Sequence, residues 1–330
     1  MTHSLKELNK KRKGVYYKNP SEENFLSSLN AHLQTNEAKY YQSLQPDLPH
    51  LFVFGAPRSG TTLLTQILAY GLDLGYINNF IARFWLAPVQ GAKLAKSILK
   101  HEEPPSFFSD FGATKSLKDI HEFGYFWRYW LQKESMEGIA KASSIEQQIR
   151  WQELTQTLLN IQAQFNRIMI YKNIFGSYHM DRLTKELDNR VLWLYIERDP
   201  LDVAISILNA RKKYYDDLNT WWSYAPPNYA DLLSLDYWDQ IAGQIFFLSQ
   251  YYEKWISKME EVQPVIRVSY KELTKTPLKL LQRTQRLLED RFDASVEIQT
   301  DPTSHVTFRS YGPSREKEIF ADRLEKLSST

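Results

Sequence analysis

The chain has 330 residues, 43% hydrophobic and 24% charged, with 41 Lys and Arg against 39 Asp and Glu for a net charge of +2. Such a mixture excludes a disordered chain and suits one large α/β domain or two smaller ones. The near balance of charge excludes a broad basic field, so no nucleic-acid partner is expected and any anion must be held locally. The absence of cysteine excludes disulfides and thiolate metal sites.

In chain order, "MTHSLKELNKKRKGVYY" lacks the apolar core of a signal peptide. No later stretch approaches about 18 uninterrupted apolar residues. We therefore expect a soluble, cytoplasmic protein without a transmembrane segment. The basic run Lys10 to Lys13 reads as a solvated tail. Residues 1 to 48 read as a polar arm with one or two helices, closed by the prolines of "QPDLPH", and residues 49 to 330 as the main domain.

The stretch "LFVFGAPRSGTTLLTQIL" then joins a buried strand to a helix. Gly55 and Gly60 have the Walker A spacing, but Thr61 stands where that motif has lysine, and Arg58 is the only cation. Backbone N–H groups at a helix start, the hydroxyls of Ser59, Thr61 and Thr62, and the Arg58 guanidinium together predict an anion site. The pattern further predicts helix over 66 to 100 with an aromatic insertion, a loop at "HEEPPSFFSDFGATKSLKDI", and a long helix over 145 to 166. A strand at "RIMIYK", a helix from Met180 to Leu187 and a strand at "VLWLYIE" follow. Alternating strands and helices argue for an α/β fold, a single domain with a central parallel sheet flanked by helices.

Directly after "VLWLYIE" stands "RDPLDVAIS". Asp199 is a suitable N-cap, Pro200 suits the first helical position, and Asp202 is placed to reach back in a capping box. Arg198 at the strand end and Ser206 are placed to hold a second anion; a surface pair of Arg198 with Asp199 or Asp202 is the alternative. Helices from about Gln240 to Met259 and on to Glu289 flank a strand at "VIRVSY", and the tail from Thr300 is irregular until a short final helix.

"GAPRSGTTLL" with a distant "RDPLDVAIS" resembles the sulfotransferase superfamily, whose P-loop NTPase-like fold binds 3′-phosphoadenosine-5′-phosphosulfate (PAPS). The resemblance implies a donor site: Arg58, Ser59, Gly60, Thr61 and Thr62 on the 5′-phosphosulfate, and Arg198 and Ser206 on the 3′-phosphate. Tyr270 of "VSYKELTKTPLKLL" would lie beside the adenine, Lys172 would stabilise charge on the sulfuryl group, and Arg309 and Gly312 match a closing loop in kind. It also implies transfer to a hydroxyl or amine of an acceptor such as a carbohydrate or small metabolite, with 3′-phosphoadenosine 5′-phosphate (PAP) released.

No metal is expected, since the chemistry needs a pocket, cations and a base rather than a metal. The histidine that relatives place two residues after the lysine is Ile174 here, and the segment where another branch has a glutamate reads Asn78 and Asn79. The candidates for the base are His121 and Glu122; as an alternative reading both merely open a helix. The aromatic segment 214 to 238 is either an acceptor lid or structural packing. Two other function classes are a P-loop kinase or hydrolase, which the missing lysine opposes, and a non-catalytic nucleotide-binding protein.

Overall fold

Five short strands carry the sheet, and the central ones are almost wholly apolar because they are buried on both faces. The computed structural model describes residues 4–101, 105–136 and 145–329. Its strands are β1 (His50–Phe54), β2 (Gly75–Tyr76), β3 (Met169–Lys172), β4 (Val191–Glu197) and β5 (Val265–Ser269). All pair in parallel, in the order β2-β3-β1-β4-β5, with Leu51 opposite Ile170 and Leu192. The expected α/β fold with one central parallel sheet flanked by helices is the fold observed.

Thirteen α-helices occur among the described residues. They are α1 (Leu5–Lys10), α2 (Pro20–Glu37), α3 (Thr61–Gly71), α4 (Pro88–Ile98), α5 (Gly124–Trp130), α6 (Trp151–Phe165), α7 (Met180–Glu186), α8 (Pro200–Tyr215), α9 (Tyr229–Leu232), α10 (Tyr237–Glu260), α11 (Tyr270–Lys275), α12 (Pro277–Phe292) and α13 (Arg315–Ser328). Strand alternation sorts the core by side-chain shape. Leu51, Val53, Leu192 and Leu194 pack with Leu64 and Leu68 of α3 and Leu281 of α12. On the opposite face Phe52, Phe54, Trp193 and Tyr195 meet Trp127, Leu158 and Tyr252. Each such buried side chain contributes roughly 1.5–3 kcal/mol.

From β1 the chain passes to β2 and β3 on one side and later to β4 and β5 on the other. That reversal opens a crevice at the carboxyl ends of β1 and β4, where open α/β sheets bind ligands. The arm closes one side of the molecule: Leu8 is buried, and the carboxylate of Glu37 accepts the N–H groups of Val89 and Gln90 at the start of α4. Those donors otherwise have no partner within the helix.

Four local expectations are corrected. The span 66 to 100 is not one helix: α3 stops at Gly71, and the edge strand β2 and a 3₁₀ turn at Ile81–Arg83 precede α4. A strand of two residues carries too little periodicity to be read from sequence. Asp199 does cap α8, accepting from Leu201 and Asp202 N–H, but the Asp202 side chain does not reach back; it accepts from Tyr311 N–H instead. Tyr270 begins α11 rather than ending β5, because Ser269 caps the helix. The basic run is no simple tail, since Arg12 is half-buried over the Tyr214 ring and Lys13 N–H donates to Tyr214 carbonyl.

His50 opens β1 fully buried, stacked between Phe52 and Tyr171, with neither ring nitrogen partnered among the described residues. Burial pushes its pKa down to about 3. The unfolded chain therefore binds this proton first. The stabilisation is complete above the unfolded value near 6.5 and declines as pH falls toward the folded value, by ~2 kcal/mol between about pH 6.5 and pH 5. His50→Phe should remove that component, so its urea midpoint should fall less than the wild type's between neutral and mildly acidic pH. An identical fall in both proteins would show that His50 is not its source.

Candidate active site

The loop after β1 is shaped by the backbone. Gly60 stands before α3 at φ +113°, a region that residues with a Cβ avoid. A Cβ there would also lie 2.8 Å from the Tyr270 ring. Arg58, at φ 71°, is left-handed too, a conformation costing of order 1–3 kcal/mol that only a well-determined surrounding sustains. Its guanidinium turns onto Ser206, with Nε donating to Oγ at 2.9 Å, and lies 5.0 Å over the Phe111 ring. Thr61 and Thr62 form the first turn of α3. The Ser59 hydroxyl is buried without a hydrogen-bond partner among the described residues.

The element after β4 brings the second arginine alongside. Arg198 donates to the carbonyls of Arg58 at 3.3 Å and Arg309 at 2.7 Å, and its guanidinium sits 4.5 Å from the centre of the Tyr270 ring. Its Nε is buried and unpartnered. Asp202 is the nearest acid, at 3.6 Å, so the surface-pair reading applies in part, but this contact is longer than the Asp202–Lys317 pair at 2.8 Å. The loops after β1 and β4 thus adjoin through direct contacts between Arg58, Arg198, Ser206 and Tyr270, residues scattered over more than 200 positions.

Lys172 ends β3, buried, with Nζ 3.3 Å from Glu122 Oε1. Gly112 of the loop facing the site marks where the groups converge. A Cβ on it would lie 3.4 Å from Lys172 Nζ, 3.7 Å from Thr62 Oγ1 and 3.9 Å from Arg58 Nη1. Three donors from three elements therefore surround one point. His121 and Glu122 do not open a helix; they precede α5, whose start at Phe123 is left-handed. His121 Nδ1 accepts the Phe123 N–H at 2.8 Å, and burial pushes its pKa down to about 4, which leaves Nε2 to carry the proton of a neutral ring. Asn78 and Asn79 hold local turns through Ile81 N–H and Thr114.

Arg309 contributes its backbone carbonyl while its side chain is exposed. Gly312 is exposed and lies outside the lining of the cavity that contains the other residues. That cavity, of about 1250 Å³, is continuous from Tyr270 and Arg198 past Lys172 and Glu122 to residues of the arm. In the aromatic segment Trp221 and Tyr229 pack into the core, and the buried Trp222 and Tyr224 line the cavity together with Ser223.

Sequence comparison agrees with this geometry. The model of the sulfotransferase family matches residues 49–293. The chain belongs to the sulfotransferase family. No curated protein matches it. Among solved structures, sulfotransferase STF1 from Mycobacterium tuberculosis H37Rv is 15% identical with a TM-score of 0.50, over 93% of this chain and 86% of that one, a likeness of fold. Sulfotransferase STF9 from Mycobacterium avium is 13% identical with a TM-score of 0.49, over 93% and 86%.

In this sulfotransferase the segment beyond the matched residues still touches the site. Asp202, almost fully buried, accepts from Tyr311 N–H at 3.0 Å and pairs with Lys317 of α13. These contacts, with the Arg309 carbonyl on Arg198, pin residues 309–311 over the second arginine, a link no local sequence pattern announces. Lys317→Ala should loosen the strap. Amide exchange at 309–311 should quicken and stability should drop by about 1–3 kcal/mol, the range for a charge-assisted bond. Unaltered exchange in that peptide would show that Lys317 does not hold it.

Proposed function

We propose that this sulfotransferase transfers a sulfuryl group from PAPS to a hydroxyl or amine of an acceptor, a carbohydrate or small metabolite, and releases PAP. The observation that carries this reading is the convergence of Arg58, Thr62 and Lys172 on one point, with Arg198 adjoining and its buried Nε left without a partner. Buried polar groups are rarely left so unless a ligand satisfies them. Arg58 and Lys172 at one point and Arg198 beside them fit a nucleotide bearing two separate anionic groups.

PAPS, when bound, supplies an electrophilic sulfur and a phosphate leaving group. Arg58, Lys172 and Thr62 are placed to neutralise the charge that grows on the leaving side, where preorganised donors act most strongly. Arg198 and Ser206 hold the 3′ end, and Tyr270 offers a ring beside it. Glu122 takes the acceptor's proton as its oxygen bonds to sulfur. Paired with Lys172, it is held at the point of convergence, whereas His121 has its lone pair committed to the Phe123 N–H. The proposed active unit is residues 49–330, with 1–48 as an arm. No described helix is long and apolar enough to cross a membrane.

Thermal unfolding with PAP, ADP, or ATP with magnesium tests the donor. At about 100 times its Kd, PAP should add roughly 2.7 kcal/mol and raise Tm by a few degrees. Arg198→Ala should abolish the shift. Stabilisation by ATP with magnesium and none by PAP would instead favour a P-loop kinase or hydrolase. Glu122→Gln should lower kcat by about 10²–10⁴ while leaving PAP affinity within a few-fold, the signature of a lost general base. Undiminished turnover would remove Glu122 from the mechanism.

A further inference from the structure

One part of the cavity lining comes from the arm, outside the residues that match the family, together with Tyr125 and Arg128 of α5 within them. Arg12, Lys18 and Arg128 gather there around Tyr125. Lys18 Nζ lies 4.3 Å and the Arg128 guanidinium 5.5 Å from the centre of that ring. Lys18 also bonds to the Tyr125 hydroxyl and pairs with Glu23 at 3.3 Å. Burial lowers the Lys18 pKa; Glu23 opposes that shift, and Arg12 and Arg128 add to it, so the three cations feel one another.

Acids do not balance them. Glu23 serves Lys18 and Tyr125 together, Glu22 is drawn off to Arg83 at 3.6 Å, and Arg128 reaches Glu134, which is 76% exposed. Arg12 has no ion pair among the described residues, and its Nε is buried without a hydrogen-bond partner, while the guanidinium bonds elsewhere to the Tyr215 hydroxyl. Its guanidinium lies 5.5 Å over Tyr214, whose ring stacks on Tyr16 at 3.8 Å. The lining also includes the apolar side chains of Leu26, Trp85 and Met136, and the ring of Tyr214 lies within electrostatic reach of both Arg12 and Glu122. Lys18 and Arg128 each keep one carboxylate, but holding them with the unpaired Arg12 in a half-buried space costs Coulomb and desolvation energy that an incoming anion would offset.

We propose that the arm-built end of the cavity is an anion subsite for the acceptor, centred on Arg12 with Lys18 and Arg128 beside it. The acceptor is then amphipathic: a hydroxyl or amine at one end for Glu122 and Lys172, an apolar middle, and a carboxylate, sulfate or phosphate at the other end. This rests on the sulfuryl-transfer reading, which sets the opposite end as the reaction centre.

The test uses the full chain saturated with PAP and two fluorescent probes of nearly the same shape, 8-anilinonaphthalene-1-sulfonate and the uncharged N-phenyl-1-naphthylamine. The sulfonate should bind at least about tenfold more tightly, the worth of one charge-assisted contact. Arg12→Met should close most of that gap and Lys18→Met part of it, while Arg12→Lys keeps it and PAP affinity stays unchanged in all three. Equal binding of the two probes, no sulfonate binding, or a gap that survives both methionine variants would overturn the subsite. Failure of PAP to bind the wild type would instead defeat the donor reading, and the contrast between the probes would still decide the subsite on protein alone.

Discussion

Two arginines held side by side at the carboxyl edge of the sheet are the constraint on which the rest of this molecule depends. Like charges in a shared, partly dry space repel, and each costs desolvation energy unless something answers it. Here the answering groups are mostly neutral. Ser206 Oγ takes Arg58, while the carbonyls of Arg58 and Arg309 take Arg198. Neutral partners fix direction without cancelling charge, so both cations stay available to an anion. A site satisfied by carboxylates would have been more comfortable empty and less useful.

Much of the surrounding structure is a consequence. The left-handed turns at Arg58 and Gly60 exist because the first arginine must leave the loop toward α8 while the backbone passes under Tyr270. Asp202, the acid that pairs with Arg198 among the described residues, is shared with Lys317 and the Tyr311 amide and is thereby kept from fully neutralising Arg198. The C-terminal strap thus reaches Arg198 through one buried carboxylate. On the other side, Lys172 projects from β3 toward the same point, and its partner Glu122 hangs from the chain just before α5.

The strongest local signals were legible. The apolar runs of β1, β3 and β4, the N-cap at Asp199 and the glycine-bounded loop each rest on neighbours in sequence, and each stands where periodicity and capping chemistry put it. Elements that depend on partners were not. β2 is two residues long and exists only because Met169 and Ile170 offer an edge to pair with. Asp202 looked like a capping-box residue because sequence shows only its spacing, and a distant amide and lysine compete for its oxygens more successfully. Arg12 looked like part of a solvated tail because a charge run carries no record of the aromatic ring it will cover.

By itself the sequence determined the class of fold, the strongest of its strands and helices, the glycine-bounded loop and the capped helix start after β4, because these are encoded by residues a few positions apart. The contact of Glu122 with Lys172, the convergence of Arg58, Thr62 and Lys172 on Gly112, and the contacts of the arm and the C-terminal strap were decided only in three dimensions. Hydrogen bonds and charge pairs act over a few ångströms of space. Where the chain must cross more than a hundred residues to form one, no local pattern in the sequence can announce it.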